Sequence, residues 1–185
     1  MIFSEKEIVL KDGSIAIFRS PTAQDALEMV TFFQRVLEET PYLLASPQDP
    51  PMTVESEEKF LKDLADSKNQ VMIACFIDGQ LVGNCLLTYQ MKYKIRHRGR
   101  IGISILRDYW GKHIGTRMFE ELLAIARDWG LYQLELEVFE GNDRARALYE
   151  KMGFRAFGEI PNAIRQSDGT MIKEIQMMRL LNEEA

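Results

Sequence analysis

The clearest candidate chemistry in this 185-residue chain is a glycine-flanked run, Trp110-Gly111-Lys112-His113-Ile114-Gly115-Thr116. It follows a strand-like segment from about Arg100 to Leu106. It opens a segment in which Ile114, Met118, Leu122, Ile125 and Trp129 recur at helical spacing and which Gly130 stops. The first N–H groups of a helix lack partners, and its dipole favours negative charge, so such a turn can cradle a phosphate. Gly111 and Gly115 let an anion reach the backbone. The spacing fits neither the Walker nor the dinucleotide pattern. Taken alone the turn is a weak signal, and a plain helix entry accounts for it too.

A second run lies just past the next strand-like segment, Tyr132 to Phe139. It reads Asn142-Asp143-Arg144-Ala145-Arg146-Ala147-Leu148-Tyr149-Glu150-Lys151-Met152-Gly153-Phe154. Asn142 or Asp143 caps a short helix that Gly153 ends. Cys75, Cys85, His97 and His113 have no spacing typical of a closed tetrahedral zinc site, so no metal is expected. The two cysteines read as small buried hydrophobes. A two-residue turn at Asp78-Gly79 would set Cys75 opposite Val82 and point the two thiols to opposite faces.

Several elements must position these runs. Ser14 to Arg19 reads as a first strand. A helix opening at Thr22 carries Leu27, Val30, Phe33 and Leu37 as its apolar stripe. Pro41 to Pro51 is a loop, and a second helix starting near Thr53 buries Phe60, Leu61 and Leu64. Val71 to Ile77 is apolar throughout, the pattern of a strand covered on both faces. Lys92, Lys94, Arg96, Arg98 and Arg100 alternate with Met91, Tyr93 and Ile95, which predicts a strand with one cationic face. Gly102 lies inside the next strand and suggests a bulge or a close backbone approach. The last strands, Phe154 to Glu159 and Met171 to Leu180, flank a loop containing Ser167-Asp168-Gly169. Ile101 to Phe139 thus reads strand, turn, helix, strand, which is a right-handed crossover unit.

The size, 46% apolar and 28% charged residues, and the lack of repeats or linkers indicate one mixed α/β domain over residues 1–185. The longest apolar run is too short to span a bilayer, and the first twelve residues do not resemble a signal peptide, so the cytoplasm is the expected compartment. A net charge of −5 argues against general nucleic-acid binding. Pro21 to Asp66 holds ten acids against three bases, a balance of −7, which would suit a cationic substrate. RNA binding through the Lys92–Arg100 stretch is the remaining alternative from charge.

In this order and spacing, the two runs resemble the GNAT superfamily of N-acetyltransferases. The resemblance covers about Ser14 to Leu180 and is strongest from Ile101 to Phe154. It implies a mostly antiparallel sheet of about seven strands with helices on both faces and a V-shaped splay between two central parallel strands. The implied co-substrate is acetyl-CoA, with no metal. Its diphosphate would rest on Trp110, Gly111, Lys112, His113, Ile114, Gly115 and Thr116. Its pantetheine arm would lie along the N–H groups of Ile105, Leu106 and Arg107 and beside Asn142 and Tyr149. A bulge near Gly102 would open the splay, and Tyr149 would donate a proton to the departing thiolate.

The chain departs from the family's Gln/Arg-x-x-Gly-x-Gly/Ala pattern at Trp110 and His113. Arg100 stands where many members carry a glutamate, so the commonest base is absent. His97, Glu39 and Glu137 remain as candidate bases. The acceptor would be a small-molecule amine or a protein N-terminus, held between the loops Glu39–Met52 and Pro161–Asp168. A homodimer is compatible with the resemblance. A non-catalytic CoA-binding or protein-docking module of the same fold is the alternative.

Overall fold

The computed structural model describes residues 1–181. Eight strands form one sheet: β1 (Lys6–Val9), β2 (Ile15–Arg19), β3 (Gln70–Ile77), β4 (Gln80–Tyr89), β5 (Arg98–Ile105), β6 (Gln133–Phe139), β7 (Arg155–Arg165) and β8 (Met171–Leu180). Their order is β1-β2-β3-β4-β5-β6-β8-β7. Every neighbouring pair is antiparallel except β5 and β6, which α3 (Ile114–Asp128) joins as a crossover. Helices α1 (Ala26–Glu39) and α2 (Val54–Asp66) cover one face. There Met29, Phe32, Val36, Leu61 and Leu64 pack on Met72, Ala74 and Phe76. On the other face α3 and α4 (Asp143–Lys151) pack Met118, Phe119, Leu122 and Tyr149 against Ile73, Leu87, Leu136 and Val138.

Local chemistry explains several boundaries. The Thr53 hydroxyl accepts from the Ser56 N–H at 3.1 Å and caps α2. Asn142 Oδ1 accepts from the Ala145 N–H at 3.2 Å and caps α4. Gly130, at φ +67°, terminates α3.

Other expectations need correction. The described residues form eight strands, because the short β1 pairs with β2 ahead of the first expected strand. The basic alternation is not a strand before Arg98. Residues 92–97 turn, with Ile95 N–H on the Lys92 carbonyl and Arg98 N–H on the Ile95 carbonyl. Long cationic side chains alternating without a buried face to anchor them gave a false period of two.

The stripe of α1 differs in part from the expected one. Val30 is buried as expected, but Leu27 is exposed and Ala26, Met29, Phe32 and Val36 complete the buried face; in α2 Leu61 and Leu64 are buried and Phe60 is exposed. A register shift between Cys75 and Phe76 sets Cys75 opposite Gly83. Both thiols therefore enter the same core, on the α3 face. The β4–β5 register runs unbroken past Gly102, so no bulge lies there. Pro161 to Arg165 belongs to the irregular far end of β7 and not to a loop.

The splay between β5 and β6 follows from pairing alone. The two strands pair only over Arg98–Arg100 and Gln133–Glu135. A side chain on Gly99 would meet the Leu134 and Leu131 methyls at 2.7 and 2.8 Å, so glycine lets these two leucines pack over the paired end of the strands. Beyond it each strand follows its outer partner, β5 along β4 and β6 along β8. The Leu106 N–H donates to the Val82 carbonyl at 3.0 Å, which fixes the phase of the ladder. Residues 100, 102, 104 and 106 then bond β4, and the peptide groups of Ile103 and Ile105 face the open wedge.

Candidate active site

A cleft of about 820 Å³ passes through this wedge and reaches both faces of the sheet. On the α3 face it begins at the turn before α3. Gly111 (φ +79°) and His113 (φ +70°) are both left-handed, which curls the chain into a concave nest. Histidine tolerates this region better than most residues. Among the described residues, the N–H groups of Gly111 through Thr116 have no protein acceptor. A turn with unpaired donors at the head of a 15-residue helix fits a diphosphate.

The residues named from sequence divide around this cleft. Trp110, Gly111, His113, Ile114, Gly115, Thr116, Ile105, Asn142 and Tyr149 line it. Lys112 does not line it. Its ammonium is held 2.6 Å from Asp12 in the β1–β2 turn, and its carbonyl accepts from the Lys11 N–H. The Asp12 carboxyl is held well below its ordinary range by the Lys112 and Ser14 hydrogen bonds. The N–H groups of Leu106 and Arg107 already have acceptors, the Val82 carbonyl and Glu39 Oε2 (2.7 Å). Of that trio only the Ile105 N–H is left to face the wedge.

Trp110 sits where the resemblance implies a polar side chain. Its indole N–H donates to the Ile105 carbonyl at 2.8 Å. The Arg144 guanidinium lies over its ring at 4.6 Å. Arg144, which sequence reasoning did not single out, thereby brings a cation to the nest.

Tyr149 is buried and packs on Phe119 at 5.6 Å and Phe154 at 6.4 Å. Burial pushes its pKa up to about 12, so the phenol stays protonated across the physiological range. Among the described residues its hydroxyl has no hydrogen-bond partner.

The three candidate bases fall in different places. His97 is exposed in the turn before β5, and its carbonyl accepts from Tyr132 and Gln133 at the closed end of the wedge. At about 3.3 Å per residue that is roughly 20 Å of strand from Ile103. The Glu39 carboxylate is occupied by Arg35 Nε at 3.0 Å and the Arg107 N–H, and its carbonyl accepts from the Arg107 guanidinium. It ties α1 to the β5–α3 loop. Glu137 lines the cleft on the α1 face and pairs with Arg100.

Two residues earlier on the same face of both strands, Arg98 grips Glu135 at 2.5 and 2.7 Å. Burial disfavours that carboxylate, but the Arg98 and Gln133 hydrogen bonds outweigh it and lower its pKa. Asn84 was also unmarked in the sequence reading. It is a buried amide on β4 that lines the cleft opposite Ser104. Its signal was a polar residue in the middle of an apolar run.

Comparison with known proteins agrees with this geometry. Residues 34–154, from α1 to the end of the second motif, match the family described as Acetyltransferase (GNAT) family. A GNAT-family acetyltransferase of Streptococcus pneumoniae is 30% identical, with a TM-score of 0.83 over 89% of this chain and 99% of that one. The Salmonella typhimurium protein yncA, solved with its cofactor acetyl-CoA, has the same fold at 14% identity, with a TM-score of 0.78 over 91% of this chain and 95% of that one. The Bacillus subtilis spermine/spermidine N(1)-acetyltransferase is 26% identical over 66% of this chain and 82% of its own length. The Escherichia coli L-amino acid N-acetyltransferase AaaT is 25% identical over 56% and 64%. Among the described residues no helix is long and apolar enough to cross a membrane. The matched stretch holds the nest, the wedge and the buried tyrosine alike, and on that basis the chain belongs to the GNAT acetyltransferase family and is an N-acetyltransferase.

Proposed function

We propose that residues 1–185 act as one domain that moves an acetyl group from acetyl-CoA directly to the primary amine of a small molecule or a protein N-terminus, with both substrates bound at once. The observation that carries this reading is the row of unpaired N–H groups at Gly111–Thr116 leading into a wedge that opens on both sheet faces. The nest would hold the diphosphate, with Arg144 adding charge that Trp110 cannot. Acetyl-CoA supplies the activated thioester. The Ile103 peptide group and the Ile105 N–H would hold the pantetheine arm as an added strand would, and an N–H there would meet the charge that develops on the carbonyl oxygen.

Glu137 would exchange its Arg100 partner for the acceptor's ammonium and draw off one proton through water. The amine nitrogen then bonds to the carbonyl carbon, the carbon–sulfur bond breaks, and the nitrogen's remaining surplus proton leaves. Tyr149 would donate a hydrogen bond to the departing sulfur. A phenol near 12 does not surrender its proton fully to a thiolate whose ordinary pKa is about 8.5. Its part is therefore to stabilise the thiolate until the proton from nitrogen arrives. The test is thiol release from acetyl-CoA over a broad panel of primary amines. Release with at least one amine supports the reading; binding of acetyl-CoA with no release from any amine overturns it.

A further inference from the structure

The acceptor half of the cleft has a composition that narrows the substrate. It lies on the α1 face, across the sheet from the nest. Asn84, Leu86 and Met72 face it from β4 and β3, and Phe33 and Val36 close it from α1. Leu43 covers it from the following loop, where Tyr42 comes within 3.1 Å of the Cβ position of Gly141 and so meets the β6–α4 loop overhead. Two carboxylates line the cleft among the described residues, Glu137 on β6 and Asp143 at the start of α4; Glu137 is the one on the strand that faces α1.

The acidic stretch that suggested a cationic substrate does not line the chamber. Asp25 is bound by Arg19 at 2.7 Å, Glu28 accepts the Leu81 N–H at 2.6 Å, and Glu39 is held by Arg35 and Arg107. None of the ten acids lines the cleft. A polyamine would thus bury one ammonium beside Glu137 and leave the others against Phe33, Val36 and Leu86, which carry no compensating charge.

We infer that the acceptor is a primary amine on an apolar arm, its ammonium beside Glu137 and its arm in the chamber of Phe33, Val36, Leu43, Met72 and Leu86. This rests on the acetyl-transfer reading above. The arm supplies binding in proportion to the apolar surface it hides, up to about fourfold per methylene. The bond formed is nitrogen to acetyl carbon, the bond broken is carbon to sulfur, and one proton passes from nitrogen to sulfur. Glu137 also sets the distance between the chamber and the thioester, so arm length should decide affinity while the reacting end stays fixed.

The experiment measures kcat/KM for ethylamine, butylamine, hexylamine and 2-phenylethylamine beside spermidine and an amino-sugar. A parallel titration follows hexylamine binding to the CoA complex. The expected result is a rise of about two- to fourfold per methylene through hexylamine, with hexylamine at least about tenfold above spermidine. Leu86→Glu, checked for an unchanged melting temperature and unchanged acetyl-CoA binding, should flatten the alkyl series and raise spermidine turnover. Leu43→Glu, on the covering loop, repeats the test should the strand variant misfold. Thiol release that is equal across the alkyl series, or highest for spermidine or the amino-sugar, overturns the apolar-arm inference and leaves acetyl transfer standing. Release with no amine at all removes both.

Discussion

Tyr149 and Glu137 separate most clearly when each is changed alone. Tyr149→Phe keeps the ring packed on Phe119 and Phe154 and removes only the hydroxyl. It should lower kcat by about 10- to 100-fold and leave acetyl-CoA affinity within about twofold. An unchanged kcat would remove the phenol from the reaction. Glu137→Gln should lower kcat/KM for the amine and shift the acid limb of its pH profile, whereas His97→Ala should leave both alone because His97 stands at the closed end of the wedge. Glu39→Gln is expected to loosen the Arg107 loop and raise the acetyl-CoA KM without moving the pH profile. A shifted profile in that variant would restore Glu39 as a base.

At the level of elements, the nest depends on backbone hand more than on side chains. His113 holds φ +70° at the entry to α3. His113→Gly should keep or tighten CoA binding. His113→Val, whose β-branched side chain resists left-handed backbone, should weaken it about tenfold or more, at a strain of about 1–2 kcal/mol. A calorimetric titration with CoA checks both. In α2, Glu57 is buried with Oε1 unpaired, and burial raises its pKa. Its charged form is therefore disfavoured in the fold at neutral pH. Glu57→Gln should raise the melting temperature at pH 7 by about 1–3 °C, and the gain should vanish as the pH falls to about 4, where the wild-type carboxyl is protonated in both states.

For the molecule as a whole, ligand linkage and alkaline stability give two global readouts. Acetyl-CoA at about 100 times its dissociation constant should stabilise the fold by about 2.7 kcal/mol, or about 5–10 °C in Tm. The groups buried on the α3 face fix the alkaline limit. Burial lifts Tyr149 from 10.0 to about 12 and Cys75 from 9.0 to about 12. The unfolded chain thus releases these protons first. Stability is complete below about pH 9 and falls as the pH rises from 9 to 12, by on the order of 2–3 kcal/mol for Tyr149 alone. Denaturant titrations at pH 8 and pH 10.5 should show the loss, and a thiol reagent should label Cys75 and Cys85 only on unfolding.

The amino-acid sequence by itself determined what depends on near neighbours. Gly111, His113 and Gly115 before an apolar helical stripe specify the nest, because left-handed turns and helix caps are set within a few residues. Asn142 through Phe154 specify a capped helix carrying Tyr149, and Thr53 marks the start of α2 within one position. Long-range contacts decided the rest. Which edge of β5 is left open follows from the ladder to β4 and from a pairing with β6 that stops at Arg100. Glu39 is occupied because Arg107 comes back to it from 68 positions away, and Lys112 turns from the nest because Asp12 approaches from 100 positions away. The cationic alternation at 92–97 and the acidic stretch at 21–66 misled for the same reason: a charge pattern names a solvated surface without saying where the fold will put it, and pairing across distant strands and helices fixed that placement.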